Sequence, residues 1–322
     1  MKKSKNTKAK RTTTKVYEKE QSGCSCAIWS WTIYVYWFII LFFIAATFYI
    51  IGRGHEFLHP ANRNVVITEE SLLQAQDYID AAKDKMIAGD MDGAIQELDV
   101  AVSSNANADT YTLRGEAYMQ MGNYEKALAD FNSAIEIDGV NPIAFYDRAL
   151  LNTRLEDYNA ALVDINNALA AQSMKPASVL TMRDLYAKRG QLNLWLKNWQ
   201  GAIADYTNSL ARAEGSVSAK VYAERAEAYT AMGEFENAIN DYTSAVRVIS
   251  EQIQAAPSQE ERESQSSNAM AYFEKSAALN LKLGNNDAAK NDLESAYAIA
   301  VALNDTESTN RIGNLIKDLG GK

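Results

Sequence analysis

Proline is almost missing from this chain, with four residues in 322, and histidine and cysteine number two each. Scarce proline leaves long helices uninterrupted and excludes polyproline or collagen-like structure. Cys24 and Cys26 sit almost side by side, so no disulfide framework organises the rest of the chain. His55 and His59 are four residues apart but flanked by Gly54 and Pro60, a poor two-ligand metal site. Also absent are a glycine-rich phosphate loop, a nucleophile elbow and any run of alternating apolar residues. The inventory therefore offers no catalytic, cofactor-binding or metal-ligating set, and no small-molecule substrate is expected. Basic residues crowd the first 23 positions (Lys2, Lys3, Lys5, Lys8, Lys10, Arg11, Lys15 and Lys19, against Glu18 and Glu20). The whole chain nevertheless carries −9, so everything after that tail is strongly acidic, which argues against nucleic acid as a partner.

What is present begins with an uncharged apolar stretch, residues 27–51. As a helix it would be about 37 Å long, enough to cross a hydrocarbon core of about 30 Å. It is longer than the apolar region of a cleaved signal peptide and lacks a clean small-x-small site after it. Trp29, Trp31 and Tyr49 suit the two interfaces. The expected layout is a basic tail over 1–23, a single transmembrane helix over 24–52, a linker over 53–67 and a helical domain over 68–322. The excess of Lys and Arg before the stretch places the N-terminus in the cytoplasm and the rest across the membrane. In a Gram-negative cell that side is the periplasm.

Beyond residue 68 one frame recurs six times. Ala94, Ala127, Ala161, Ala202, Ala238 and Ala289 are separated by 33, 34, 41, 36 and 51 residues. Twelve positions before each lies a small residue: Ala82, Gly115, Ala149, Gly190, Ala226 and Ala277. Sixteen before lies an aromatic: Tyr78, Tyr111, Phe145, Tyr186, Tyr222 and Phe273. Four after lies a large residue: Leu98, Phe131, Ile165, Tyr206, Tyr242 and Leu293. Small residues let two helices approach closely, and rings fill the gap to the next helix. Gly89, Gly122, Gly233 and Gly284 mark the turn between the helices, where Glu156 and Lys197 stand in the third and fourth units. Just before each large residue sits a carboxylate: Glu97, Asp130, Asp164, Asp205, Asp241 or Asp292. The carboxylates as a group read as a solvated face.

This pattern resembles the tetratricopeptide repeat, a helix–turn–helix unit that stacks into a solenoid. The resemblance implies an all-α, right-handed solenoid of about six hairpins, at about 70–103, 108–139, 142–170, 183–213, 219–249 and 268–303. Pro176 puts a loop in the insert over 171–182. Around Pro257 the periodicity of Val248, Ile249 and Ile253 and the spacing of Ser258 and Glu261 predict two lengthened helices joined as a hairpin. Ile312, Leu315, Ile316 and Leu319 predict a capping helix over about 306–319.

Members of this family present side chains of each first helix along a concave groove. Carried onto this chain, that groove takes Asp109, Thr112, Leu113 and Glu116 from the second unit and Tyr146, Asp147, Leu150 and Arg154 from the third. The fourth supplies Asp184, Lys188, Gln191 and Trp195, and the fifth Lys220, Glu224 and Glu227. Trp195 is expected to be an exposed anchor and Trp199 part of the core. The lysine–asparagine pattern with which some relatives hold chaperone C-termini is absent: the corresponding pairs include Thr112/Glu116, Tyr146/Leu150 and Ala187/Gln191. The resemblance thus implies a membrane-tethered scaffold with a protein or peptide partner. The alternatives are a permanent structural subunit of a larger machine, or a mitochondrial outer-membrane-type receptor with cytosolic repeats.

Overall fold

The computed structural model describes residues 69–177, 179–213 and 218–320. The apolar stretch 27–51, its charged flank, Cys24, Cys26, His55 and His59 lie outside the described residues, so the anchor and its orientation do too. No helix within the described residues is long and apolar enough to cross a membrane.

Thirteen α-helices and no strand occupy the described residues. Helices α1 (Glu69–Ile87) and α2 (Met91–Ser104) form the first pair, α3 (Ala108–Gln120) and α4 (Tyr124–Ile137) the second. The third pair is α5 (Pro142–Arg154) with α6 (Tyr158–Met174), the fourth α7 (Met182–Trp195) with α8 (Trp199–Ala211). The fifth is α9 (Ala219–Met232) with α10 (Phe235–Ala255), and the sixth α11 (Gln259–Lys282) with α12 (Asn286–Ala302). Helix α13 (Thr306–Gly320) follows. Each helix packs on its neighbours in sequence, and the first helices of pairs two and three, and of four and five, also touch. Burial is therefore passed from one hairpin to the next, as in a solenoid.

All six marker alanines are fully buried, as are the small residues facing them. Gly115 and Gly190 lie directly against the rings of Phe131 and Tyr206, where a methyl group would come within 2.6 and 2.9 Å of ring carbon. The turns share one backbone solution. The third turn residue donates its N–H five residues back (Asn123 to Tyr118, Asp157 to Asn152, Asn198 to Asn193), and the second adopts positive φ. That is a Schellman ending. Glu156 and Lys197 take φ of 61° without being glycine, so the turn is kept at a conformational cost of roughly 1–2 kcal/mol each. In the first four pairs the third residue then caps the next helix with its side chain, as Asp157 does by accepting from the Ala160 N–H at 3.0 Å. Asn304 repeats the device between α12 and α13, so the last helix is attached by the same turn that closes a hairpin.

The carboxylates before the large markers are not a solvated face. Asp130, Asp164, Asp205 and Asp241 are buried, and each accepts two parallel bonds from an arginine sixteen residues earlier. Arg148, for example, donates from Nε and Nη2 to Asp164 at 3.0 and 2.6 Å. Its remaining Nη1 crosses to the preceding hairpin and donates to Asn132 at 2.7 Å. Arg114 reaches Asp99, Arg189 reaches Asn166 and Arg225 reaches Thr207 in the same way. The guanidinium groups also lie 5.4–5.9 Å over the marker rings of Tyr111, Phe145, Tyr186 and Tyr222. These rings thus carry a cation as well as filling a gap. Planar, bidentate pairing is what makes burial of these charges tolerable. Where arginine is missing the network shrinks: Ser276 bonds only Asp292 of its own hairpin, and Lys85 serves Glu97.

The insert after the third pair is shorter as a loop than its sequence suggests. Helix α6 runs on to Met174, and buried Gln172 holds the following segment through the Ala177 N–H and the Ala177 and Leu180 carbonyls. Around Pro257 both helices are lengthened, to 21 and 24 residues, with Val248, Ile249 and Ala269 buried between them and Ser258 capping α11. In α13, Ile312 is fully buried while Ile316 and Leu319 pack partly against the last hairpin. Leu315 is exposed instead, because positions 312, 316 and 319 already define the packed stripe and 315 falls at its edge.

Candidate binding groove

Short turns bring α3, α5, α7 and α9 into succession, so groove residues spaced three or four apart on each helix share one face. The structure gathers several of them tightly. Tyr146, Asp184, Lys188, Gln191, Lys220 and Glu224 line one cleft of about 290 Å³, together with Arg183, Ala187 and residues of α8. Lys188 Nζ donates to Gln191 Oε1 at 3.1 Å, and Gln191 Nε2 donates to Glu224 Oε1 at 3.1 Å. The Tyr206 hydroxyl donates to Glu224 Oε2 at 3.0 Å, and Lys220 stands 3.7 Å away. Both oxygens of Glu224 are thereby engaged, and burial first, then the Glu224 charge, pushes the Tyr206 hydroxyl far up. Burial and nearby Lys220 lower the Lys188 ammonium. Asp184 is occupied locally, accepting from the Thr181 hydroxyl at 2.6 Å.

Trp195 is exposed, its ring 5.1 Å from Tyr158 and 5.5 Å from the Lys188 ammonium, so it stands as a fixed aromatic wall. Trp199 is half-buried against Tyr206 and Ala202. Glu116 and Asp147 meet across α3 and α5. Asp147 is buried, and its Oδ2 has no hydrogen-bond partner. Burial first, then neighbouring Glu116, holds the Asp147 carboxyl well above the usual range, and burial raises Glu116 as well. Other groove positions have less to offer. Thr112 is buried with its hydroxyl donating to the Ala108 carbonyl, and Leu113 and Leu150 pack into the hairpin cores. Asp109 and Arg154 are exposed, Asp109 accepting from Asn141 Nδ2 at 3.4 Å. Glu227 pairs with Lys275 of the sixth hairpin at 2.6 Å, beside a second cleft lined by Thr230, Tyr242 and Lys282.

Sequence reasoning overlooked Tyr206, Arg183 and Lys275. Tyr206 occupies a core marker position, and only its being tyrosine among Leu, Ile and Phe hints that a hydroxyl must find a partner. Arg183 lies beside a groove position and is recruited by side-chain reach, whereas Lys275 holds in the sixth unit the position of Asp147, Lys188 and Glu224, beyond the five units from which the groove was drawn.

Models of the tetratricopeptide repeat match residues 108–139 and 219–251. The chain thus carries tetratricopeptide repeats. Among curated proteins, a rice (Oryza sativa subsp. japonica) Protein SGT1 homolog is 34% identical over 88 residues, 27% of this chain and 24% of the relative. RNA polymerase II-associated protein 3 of Xenopus laevis is 31% identical over 107 residues, 33% of this chain and 15% of the relative. The match spans a quarter or less of each relative's length. Among solved structures, the C-terminal part of a TPR repeat-containing protein from Cytophaga hutchinsonii superposes with a TM-score of 0.55 at 13% identity, covering 70% of this chain and 83% of that one. PilW, a type IV pilus biogenesis factor, gives 0.53 at 18%, covering 74% and 97%. YrrB, a TPR protein with an unusual peptide-binding site, gives 0.52 at 16%, covering 67% and 97%. At such identities the likeness speaks to the fold.

Proposed function

From tetratricopeptide repeats as premise, we propose that this chain is a membrane-anchored scaffold. Its concave face grips an extended segment of another protein and holds or escorts that protein at the membrane surface. The observation that carries the reading is the cleft shared by α5, α7 and α9. It is open, lined by both signs of charge, and walled by Tyr146 and nearby Trp195. An extended peptide needs such a surface: polar groups for its backbone and an aromatic ledge for one anchoring side chain. The hydrogen-bonded chain from Lys188 through Gln191 to Glu224 and Tyr206 keeps those groups positioned before any partner arrives, which lowers the ordering cost of binding.

Anchoring rests on the 25 uncharged residues at 27–51, and orientation on the lysines before them. The repeats are then across the membrane from the cytoplasm.

A photo-crosslinking residue placed at Lys188 in native membranes should capture a partner that the same residue at exposed Val163 on α6 does not. Equal capture from both sites would reject the concave face as the docking surface. A captured protein that stays stoichiometrically attached through purification would make the chain a permanent subunit. Protease protection of the repeats in sealed inverted vesicles tests the topology, and digestion there would put them on the cytosolic side.

A further inference from the structure

The Glu116–Asp147 pair is the one place in the groove where buried polar capacity is left unused. Asp147 Oδ2 is shielded from solvent and accepts no hydrogen bond. The other carboxyl within hydrogen-bonding reach is that of Glu116, an acceptor like itself when ionised. Among the described residues neither forms an ion pair. This contrasts with Asp130, Asp164, Asp205 and Asp241, each held by an arginine. At the equivalent positions of the later hairpins stand Leu150 with Lys188, Gln191 with Glu224 and Glu227 with Lys275, so a carboxylate placed there elsewhere has a donor facing it.

Two facing carboxyl groups in a low-dielectric setting keep one proton between them until a cation replaces it. Tyr146 lies beside Asp147 on α5; its hydroxyl is raised by burial first, and Asp184 of α7 is near enough for its charge to add to this. Lys188 on α7 donates to Gln191 and forms no ion pair with either carboxyl, and Asp184, itself an acid engaged with Thr181, adds no counter-charge. No third metal-ligating side chain joins the two among the described residues, and two carboxyl groups are too few for a hard cation that takes six to eight oxygens. An ammonium or guanidinium supplies several donors at once and has a hydrocarbon stem. Leu113 lies three residues from Glu116, Leu150 three from Asp147 and Tyr146 next to it; all three are half-buried and offer that stem apolar contact.

On the reading of the concave face as a peptide groove, we infer that Glu116 and Asp147 form a recognition site for a lysine or arginine side chain of the bound segment. The cation displaces the shared proton, donates to Asp147 Oδ2 and to Glu116, and fixes the register of the segment so that its neighbours reach the cleft at Lys188 and Gln191. The groove positions of α3 carry Asp109 and Glu116 with no cation, those of α5 Asp147 against Arg154, and those of α7 and α9 both signs, which gives the groove a direction, with the partner's basic residue at the end nearer the N-terminus.

The experiment uses the full chain in detergent and pools of randomised dodecapeptides that differ only in a fixed central residue: lysine, arginine, norleucine, glutamine or glutamate. Fluorescence polarisation should show the lysine and arginine pools binding at least tenfold tighter than the norleucine pool. Glu116→Gln and Asp147→Asn should each cut that preference below threefold, with helicity by circular dichroism retained. In the wild type the lysine-pool affinity should rise with pH as the shared proton is lost, and Asp147→Asn should flatten that rise. If peptides bind without regard to the central residue, or the preference survives both substitutions, the cation site is overturned while the groove stands. If no pool binds, the groove reading itself falls, and this inference with it.

Discussion

Gly115→Ala probes the size rule that sets the spacing within each hairpin. The new Cβ would sit 2.6 Å from Phe131 Cε1, 2.8 Å from Cδ1 and 3.1 Å from Cζ. Carbon contacts are comfortable at roughly 3.5–4.0 Å, so ring or helix must retreat by about 1 Å. Phe131 is fully buried and has no slack to take. Overpacking of this kind costs about 1–3 kcal/mol. Alanine's better helix preference returns about 1 kcal/mol, leaving a net loss of up to about 2 kcal/mol. Phe131→Leu alone opens a void and should cost about 1–2 kcal/mol, less than truncation to alanine. The double variant recreates the pairing of Ala82 with Leu98 and should return close to wild type, a coupling of about 2 kcal/mol. Repeat five is the exception to the rule, since Ala226 faces Tyr242, whose ring stacks on Tyr272 of the next hairpin at 6.0 Å. Urea unfolding of the full chain in detergent, followed by far-ultraviolet circular dichroism, measures all four corners of the cycle. If the two single losses simply add to within about 0.5 kcal/mol, the residues are not in steric contact and the size rule is wrong.

Three further outcomes are expected. Arg148→Ala strands Asp164 in the interior and should destabilise the chain by about 3–5 kcal/mol in urea titration, far more than loss of the exposed pair between Arg247 and Glu251. Glu156→Gly and Lys197→Gly relieve a left-handed backbone and should each stabilise by about 0.5–1 kcal/mol; a loss in both would show that those side chains contribute more than their strain costs. Burial and Glu116 raise the Asp147 carboxyl above its unfolded value, so the stability it lends is present at low pH and lost as pH rises through the native titration. Asp147→Asn should therefore match wild type below the ordinary aspartate range and exceed it by roughly 1–3 kcal/mol at higher pH, and parallel stability–pH curves would contradict this.

The hairpins were legible because a close approach between two helices selects for size, and that selection recurs six times in register. The arginine ladder was equally written in the sequence, as an arginine one position before Gly115, Ala149, Gly190 and Ala226. It was passed over because a lone carboxylate is seldom fully buried, and its partner sixteen residues earlier belongs to no local pattern. Glu116 and Asp147 could be placed on the concave face but not paired. They come from different hairpins, and their meeting depends on how one unit stacks on the next, a quantity no single repeat encodes. The same holds for Tyr206 and Glu224. At Glu156 and Lys197 the residue type argued for a weakened turn, yet capping by Asp157 and Asn198 and the returning hydrogen bonds keep it in shape.

Four guanidinium clamps tie hairpins one through five in sequence, each fastening its own unit and the one before. At that place the sixth hairpin has Ser276, which bonds only within its own unit, and its hold on the fifth comes instead from the packing of α11 on α10, the Lys275–Glu227 pair and the stacked rings of Tyr272 and Tyr242. The first four joints are accordingly fixed by directional hydrogen bonds from one guanidinium each, and the fifth by apolar and aromatic contact with an exposed ion pair. A bound polypeptide would therefore lie along joints of one chemical kind at the front and of another at the back.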